Sequence, residues 1–316
     1  MSTATHLDIS QLPSLKVGMT AEEEAMKRRK TCRFIEEAGR VLRLPRVAIS
    51  TAMVFFHRFY AKHSFQEHDR FEVAVAAIVL AAKTEESPKK LNTVILECHT
   101  LKTRGMQAGR ISQQKDSGAS SPVPSASQAS ATLDTKGEEF AKLKERILLL
   151  ERVILHTIGF ELSIDHPYKF LVEQIKKLIQ KREVKYITPP SGSNTGQIMG
   201  KMMNELVQYG MSFANDSMHT SLCLQFSPQL IATACVFLAV QFDKVEPVSG
   251  DWRKLLGDPD VESLASICVQ IMDMIADRKA SDTDTCKKIR AQLELLKSRE
   301  ESADPSEQPN KRPRVG

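Results

Sequence analysis

Two ten-residue segments of this chain carry no charged side chain and are rich in alanine. Residues 73–82 read Val-Ala-Val-Ala-Ala-Ile-Val-Leu-Ala-Ala, and residues 230–239 read Leu-Ile-Ala-Thr-Ala-Cys-Val-Phe-Leu-Ala. Buried parallel strands are one interpretation of such runs, but their length and alanine content favour helices. A helix without a polar face must be enclosed by other elements. The sequence therefore predicts two buried helices, each surrounded by amphipathic ones.

A fixed shift of 158 residues relates the two segments. It aligns Leu80 with Leu238 and, in the preceding helices, Met53 with Met211. Chance matching of apolar residues is the alternative, but constant spacing through two helices favours an internal duplication. We therefore predict an all-α fold that consists of two tandem helical repeats.

The composition changes sharply in two places. Between Gly105 and Asp134 the chain has seven serines, five alanines and three glycines but no aromatic residue. Such a segment cannot bury enough apolar surface to offset the conformational entropy that it loses on folding. We therefore expect a disordered insertion at 105–134. Residues 282–316 are highly charged, and we expect them to form a disordered tail.

The overall composition excludes several classes of protein. Only 14 glycines and 14 prolines occur in 316 residues, too few for an all-β chain dominated by tight turns. A net charge of +5 does not by itself predict nucleic-acid binding. The chain has no signal-peptide pattern at its start, no apolar run of about 18 residues, and no C-x-x-C pair. A soluble, intracellular and reduced protein is expected.

Motifs of common enzyme classes are absent from the sequence. It contains no G-x-x-x-x-G-K-[ST], no G-x-G-x-x-G after a strand, no H-E-x-x-H and no G-x-S-x-G. His57, His63 and His68 are close in sequence, but their spacing does not place all three on one helical face, and no cysteine cluster joins them. We therefore expect no catalytic residue, no cofactor and no metal site.

Two charged residues lie in otherwise apolar surroundings. Lys83 ends the first alanine-rich helix, where a cation interacts favourably with the negative end of the helix dipole. Glu151 interrupts the apolar run from Ile147 to Leu155. It is either one charge on the solvent-facing stripe of an amphipathic helix or part of a functional site.

Several motifs occur in order along the chain. They are His57–Tyr60, Leu80–Lys90, Leu150-Glu151 and Thr157–Pro167. Together they resemble the cyclin box of the transcription cyclins, in particular cyclin K and cyclin T. Further similarity, to the lead-in of the first box and to the second box, lies in Leu12–Leu15, Glu24–Arg29, Asn215–Ser217, Leu222–Phe226 and Pro228.

The resemblance covers residues 12 to 279 and implies a domain organisation. The family fold has two repeats of about five helices each, in agreement with the duplication. The boundaries that it implies are a lead-in at 1–26, a first cyclin box at 27–162 that contains the insertion, and a second box at 163–281 before the tail.

The resemblance also implies a function without catalysis. A cyclin of this type binds and activates a transcriptional cyclin-dependent kinase, which phosphorylates the C-terminal repeats of RNA polymerase II and promotes elongation. Lys83 and Glu151 correspond to a family pair that hydrogen-bonds to the kinase backbone. The other expected kinase-contacting positions are Leu80, Glu86, Leu155, Phe160 and Leu162. For Phe160, core packing is the alternative.

Location and partners follow from the same resemblance. A nuclear protein is expected, with RNA polymerase II as an indirect partner, no membrane partner and no direct nucleic-acid binding. Lys311, Arg312 and Arg314 form a candidate nuclear import signal. Ser121, which precedes Pro122, is a candidate phosphorylation site for proline-directed kinases.

Two other assignments remain open. A cyclin-L-like factor would couple a kinase to splicing, but such factors usually carry an Arg-Ser tail that is absent here. A general transcription factor of the IIB type has cyclin-like repeats that bind promoter DNA, but it normally has a zinc ribbon, and this chain has no C-x-x-C. The kinase partner, of the cyclin K or the cyclin T type, is left open.

Overall fold

The computed structural model confirms the all-α prediction. It describes residues 7–116, 133–188, 195–279 and 284–301. These ranges contain thirteen α-helices, one short 3-10 helix and two three-residue strands. The chain divides into two compact units, each of which contains one of the two alanine-rich helices.

The first unit comprises Met1–His166 together with Ser217–Ser227. After a 3-10 helix at Ile9–Gln11, its helices are α1 Pro13–Lys16, α2 Ala21–Val41, α3 Arg46–Phe59, α4 Arg70–Thr84, α5 Leu91–Asp116, α6 Glu138–Thr157 and α9 Leu222–Gln225. The central helix is α4, which packs against α2, α3, α5 and α6. Every residue from 73 to 82 is buried, as the absence of a polar face predicts.

The helices of this unit begin at side-chain caps. Thr20 and Glu23 form a capping box at the start of α2, in which each side chain bonds the other residue's backbone N–H. Asp69 accepts hydrogen bonds from the backbone N–H groups of Phe71 and Glu72 at the start of α4. These caps satisfy donors that an α-helix cannot pair internally, and so they fix where both helices begin.

The second unit comprises Pro167–Asp216 and Pro228–Gly316. Its elements are α7 Pro167–Gln180, β1 Val184–Tyr186, α8 Thr195–Ser217, α10 Pro228–Phe242, β2 Val245–Pro247, α11 Trp252–Leu256, α12 Val261–Lys279 and α13 Asp284–Glu301. The central helix is α10, which packs against α7, α12, α13 and β2. The strands pair antiparallel, with Val184 opposite Pro247.

The predicted duplication is visible in the two central helices. Helix α10 begins and ends 158 residues after α4, and its buried run 231–240 lies 158 residues after 73–82. Equal helix lengths, equal buried runs and the same shift at both ends confirm the repeat. The assignment of Ser217–Ser227 to the first unit was not anticipated from the sequence.

Two segments predicted to be disordered begin with helix. Helix α5 continues to Asp116, because Gly105 alone does not stop a helix whose neighbours favour it. Residues 117–132 of the predicted insertion lie outside the described residues. In the predicted tail, α13 occupies Asp284–Glu301, and residues 302–316 lie outside the described residues.

Helix α13 corrects the predicted tail boundary at 282. Its four buried apolar residues are spaced three or four apart, which gives one face that packs against α10 and α12. They are Cys286, Ile289, Leu293 and Leu296. Many charged residues surround these positions, so the apolar stripe could not be recognised in the sequence.

All six cysteines are free. The first unit contains Cys32, Cys98 and Cys223, and the second contains Cys235, Cys268 and Cys286. Burial raises the pKa of the Cys98 thiol to about 12 and that of Cys223 to about 11. No helix among the described residues is long and apolar enough to cross a membrane.

Arg28 of α2 is fully buried and joins two helices. Its Nε donates to Glu24 Oε1 at 2.6 Å, and the Glu24 side chain is buried with it. Its other nitrogens donate to the carbonyl of His57 at 3.2 Å and to the carbonyl of Tyr60 at 2.8 Å. The guanidinium therefore satisfies orphan carbonyls at the end of α3 while it neutralises a buried carboxylate.

The ring of His57 extends this network. Its Nδ1 accepts from Arg28 Nη1 at 3.2 Å, and its Nε2 donates to the carbonyl of Met218 at 3.0 Å. Burial, together with the charge of Arg28, lowers the pKa of His57 to about 3. The imidazole is therefore neutral and holds the Met218 segment against α2 and α3.

We predict that Arg28→Met lowers the free energy of unfolding by about 3–5 kcal/mol, since Glu24 is left as an unpaired buried charge. Denaturant unfolding followed by circular dichroism measures the loss. The matched control is Arg40→Met, because Arg40 also lies on α2 and pairs with a glutamate one turn away but is exposed. That change is expected to cost less than about 1 kcal/mol. Equal losses in the two variants would contradict the assignment.

Glu36 is the centre of a second network in the first unit. Its carboxylate accepts from Arg40 at 2.7 Å, from Arg46 at 2.9 Å and from His219 Nε2 at 3.0 Å. The hydrogen bond from His219 is the largest cause that lowers the pKa of Glu36 to about 2, and the charge of Arg46 adds to it. The network ties α2 to α3 and to the residues after α8.

A depressed folded-state pKa makes the Glu36 contribution dependent on pH. The contribution is fully present above the ordinary glutamate pKa near 4.5 and is lost as the pH falls toward 2. We predict that Glu36→Gln is less stable than wild type at pH 7 and that this difference shrinks between about pH 4.5 and pH 2. Urea unfolding over this pH range measures it, with the exposed Glu37→Gln as control. A difference that does not change with pH would exclude the proposed role of the carboxylate.

Candidate functional site

The end of α4 places Lys83 at the surface. The N–H of Ser87 donates to the carbonyl of Ala82 at 2.8 Å, and the N–H of Glu86 donates to that of Lys83 at 3.3 Å. Glu86 has a φ of 51°, so this is a Schellman motif with a glutamate in the left-handed position. Such a motif ends the helix sharply and leaves Lys83 in its last turn.

Lys83 and Glu151 form an ion pair between α4 and α6. Lys83 Nζ lies 2.6 Å from Glu151 Oε1. The Lys83 side chain is 55% exposed, whereas that of Glu151 is 10% exposed. Glu151 is therefore not one charge on a solvent-facing stripe. It is a nearly buried carboxylate beneath an ammonium group that remains open to solvent.

A hydroxyl hydrogen bond fixes the turn that follows Lys83. Thr51 Oγ1 donates to Glu85 Oε1 at 2.8 Å and lies 2.8 Å from His166 Nε2. Because the hydroxyl proton goes to Glu85, the same oxygen accepts from the His166 N–H. Burial lowers the pKa of His166 to about 4, so this ring is neutral at pH 7. The turn after α4 is thereby held to α3 and to the segment after α6.

Helix α6 also ends in a Schellman motif. The N–H of Gly159 donates to the carbonyl of His156, and the N–H of Phe160 donates to that of Leu155. Both Gly159 and Phe160 have positive φ, 64° and 61°. The left-handed region is unfavourable for a bulky residue, and the Phe160 side chain is nevertheless 60% exposed. Core packing therefore does not explain this phenylalanine.

One further apolar residue accompanies Glu151. Leu148 lies three positions before Glu151 on α6, and Leu155 lies four positions after it, so the three share one helical face. Leu148 is 38% exposed. Leu148 is not among the residues predicted from the sequence, although its spacing from Glu151 is a signal that could have identified it.

The remaining predicted contact residues occupy different environments. Leu80 is only 4% exposed and belongs to the core, so it presents little surface to a partner. Leu155 and Leu162 are half-buried and pack against the same core. Phe160 lies nine residues beyond Glu151, about 13 Å further along α6 if the helical rise continued. The structure thus brings Lys83 and Glu151 into contact but not the whole predicted set.

We use the term ion-pair surface for the exposed or charged side chains around this contact, namely Lys83, Glu86, Leu148 and Glu151. Four predicted sites cannot be placed relative to it. Ser121, Lys311, Arg312 and Arg314 lie outside the described residues.

The family can be assigned from the first half of the chain. Residues 1–163 match the model of the cyclin N-terminal domain. The chain belongs to the cyclin family. The resemblance that the sequence motifs carried is therefore confirmed, and α4 is the central helix of a cyclin box.

This cyclin is similar to several named cyclins over most of its length. It is 32% identical to Cyclin-T1-3 of Oryza sativa subsp. japonica over 272 residues, 29% identical to human Cyclin-K over 280 and 30% identical to chicken (Gallus gallus) Cyclin-L1 over 278. These matches cover 85%, 86% and 88% of this chain but only 46%, 40% and 44% of the relatives. The chain spans less than half of their length.

A solved structure has the same fold. The match is a chain of the yeast RNA Pol II CTD kinase CTDK-1 complex, with a TM-score of 0.56 and 17% sequence identity. It covers 93% of this cyclin and 81% of the other chain. At this identity the likeness establishes the shared fold.

We predict that Phe160→Asn changes the free energy of unfolding by less than about 1 kcal/mol, because the ring is mostly exposed and asparagine tolerates positive φ. Thermal and denaturant unfolding measure the change. The fully buried Phe56→Ala is the comparison and is expected to cost about 3–5 kcal/mol. A loss of that size at Phe160 would restore core packing as its role.

Proposed function

We propose that this cyclin is a non-catalytic regulatory subunit that binds and activates a cyclin-dependent kinase of the transcriptional class. The observation that carries the proposal is the Lys83–Glu151 pair, whose ammonium group lies open to solvent, in a chain whose relatives are cyclins of the T, K and L types. The chain forms one subunit of a serine/threonine kinase complex, and the catalytic residues belong to the kinase.

The geometry of the pair suits recognition of a kinase backbone. An ammonium group has three N–H donors, and Lys83 directs one of them to Glu151 Oε1. Its exposure leaves the others for carbonyl groups of a partner. Glu151 holds the ammonium in place and keeps a second carboxylate oxygen that can accept a partner N–H. Charge-assisted hydrogen bonds of this kind are stronger than neutral ones.

Apolar groups beside the pair complete the contact. Leu148 supplies apolar surface beside Glu151 on α6, and the exposed Phe160 supplies further apolar surface beyond the end of that helix. We assign Glu86 to the same interface because the Schellman turn holds it at the exposed end of α4. The other predicted contact residues support α4 and α6 from the core side and present little surface to a partner, because they are buried or half-buried. They are Leu80, Leu155 and Leu162.

Binding at this surface provides a route to activation. A cyclin that presses on the kinase C-helix brings its glutamate to the lysine that positions the ATP phosphates. The same contact helps to order the activation loop. The cyclin contributes shape and hydrogen bonds and takes no part in phosphoryl transfer itself.

The proposed substrate is the C-terminal heptad repeat of RNA polymerase II, and the proposed result is transcription elongation in the nucleus. The similarity to Cyclin-K and Cyclin-T supports this pathway. The basic cluster Lys311, Arg312 and Arg314 is the proposed import signal, and Ser121 the proposed phosphorylation site.

A cyclin-L-like role in splicing is the second candidate function. The 30% identity to Cyclin-L1 over 278 residues favours it almost as strongly as the match to Cyclin-T1-3 favours the first. Both candidates use the same kinase-binding surface, so they differ in the kinase and substrate and not in the site. A DNA-binding role of the IIB type has less support, since the relatives named above are all cyclins.

We predict that Lys83→Ala or Glu151→Ala weakens kinase binding by about 2–5 kcal/mol, which is at least about thirtyfold in Kd. Each change leaves a partner group unpaired at a desolvated interface. Surface plasmon resonance measures the affinity for the kinase that is purified with the full chain from nuclear extract, and circular dichroism verifies the helix content. The control is Lys142→Ala, which breaks an exposed ion pair with Glu138. Lys142 lies on the opposite face of α6 from Glu151. Wild-type affinity in both test variants would rule out the ion-pair surface as the binding site.

The partner and substrate are identified by affinity purification of the full chain from nuclear extract. Recovery of a cyclin-dependent kinase that phosphorylates heptad-repeat peptide supports the first function. A recovered kinase that ignores this peptide and co-purifies with splicing factors supports the second. Promoter-binding factors without any kinase would overturn both.

A further inference from the structure

Three potential metal ligands meet in the turn between α3 and α4. One ligand atom each from His63, Glu67 and His68 lies within 4.8 Å of the others. His63 Nδ1 is 3.4 Å from Glu67 Oε2. Two ligands of a tetrahedral zinc ion, each about 2.0–2.1 Å from the metal, are about 3.4 Å apart. The distance between His63 Nδ1 and Glu67 Oε2 therefore already equals the ligand–ligand distance of a tetrahedral zinc site.

The ring of His63 is held in the tautomer that a metal requires. Thr157 Oγ1 donates its proton to the carbonyl of Val153 at 2.7 Å, so this oxygen can only accept from the neighbouring ring. His63 Nε2 lies 3.1 Å from it and is therefore the protonated nitrogen. The lone pair of Nδ1 is left facing Glu67. Metal-binding histidines are typically oriented in this way by a hydrogen bond from their other nitrogen.

Packing fixes the planes of both rings. His63 stacks on Phe59 with centroids 4.4 Å apart, and His68 meets the same ring edge-on at 5.2 Å. The hydroxyl of Tyr60 donates to the backbone carbonyl of His68 at 3.0 Å. Because Phe59 and Tyr60 are fully buried, the two imidazoles are mounted on the core and not on a loose loop.

The third ligand is also positioned. Glu67 Oε2 accepts from the backbone N–H of Ser64 at 3.3 Å, which turns the carboxylate toward His63. Two imidazoles and one carboxylate are a ligand set that suits zinc, with one position left for solvent.

We propose that His63, Glu67 and His68 form a site for a divalent transition metal of the zinc class. This differs from the expectation, based on the sequence, that there is no metal site. That expectation assumed that the histidines would have to share one face of a helix. Here the turn between α3 and α4 brings the ligands together instead. The ion would cross-link the end of α3 to the start of α4, and through Thr157 it would be coupled to the end of α6.

Zinc binding by the full chain tests the proposal. Protein stripped of metal with a chelator is dialysed against Zn²⁺, and bound metal is measured by atomic absorption at several free concentrations. One equivalent is expected in the wild type, and at least tenfold weaker binding is expected in Glu67→Gln and in His68→Gln. Glu67 is exposed, so its variant is expected to fold normally. His156→Gln, at an exposed histidine outside the cluster, is the matched control.

Each result decides for or against the site. Loss of one equivalent in both cluster variants but not in the control supports it. Absence of binding in the wild type overturns it, and so does zinc that remains in both cluster variants, since that metal would be held elsewhere, for example by cysteine thiols. Mg²⁺ is expected to show no binding, because nitrogen ligands do not suit it.

The role of Thr157 as a positioning residue has its own test. Thr157→Val removes the acceptor for the His63 N–H and is expected to weaken zinc binding by about 10–100-fold. Thr157→Ser keeps the hydroxyl and is expected to restore the affinity. Equal affinities in the two variants would show that the hydroxyl does not orient the ring.

Discussion

The first unit depends on one buried cation. Arg28 neutralises Glu24, and it also satisfies the carbonyl groups of His57 and Tyr60 where α3 ends. Water cannot reach these groups, so no other donor could replace the guanidinium without rearrangement. Burial raises the pKa of Glu24 while Arg28 opposes that shift. Desolvation and charge pairing thus act against each other in the same place, and the helix end is fixed only while both partners remain.

Both proposed sites lie at helix ends for a physical reason. The central helix α4 is buried from residue 73 to residue 82, so its middle has no surface to offer. Polar chemistry can occur only where the helix emerges from its neighbours. The turn before α4 holds the histidine cluster, and the last turn of α4 holds Lys83. A helix without a polar face therefore concentrates the functional groups of the repeat at its two ends.

The sequence was informative where periodicity was strong. The repeat shift and the two central helices could be predicted, because apolar runs stand out in a linear pattern. Lys83 and Glu151 stood out as charges in apolar surroundings, but it was the resemblance to cyclins that implied that they act as a pair. Helix α13 could not, since numerous charges surrounded its four buried residues. Leu148 was missed because exposure of a leucine depends on how neighbouring helices pack. Leu80 was selected by resemblance although it lies in the all-apolar run that predicts a buried helix, and the packing confirms its burial.

The distribution of thiols has a practical consequence. Each unit contains three free cysteines, and burial raises the pKa of most of them, so little thiolate exists in the folded chain. Alkylating reagents can react with the five buried thiols only when a helix bundle opens, whereas Cys223 is half-buried. The rate of modification of each buried cysteine therefore reports the opening frequency of its own repeat. The cysteines of the two units therefore allow the opening of one cyclin box to be measured separately from the opening of the other.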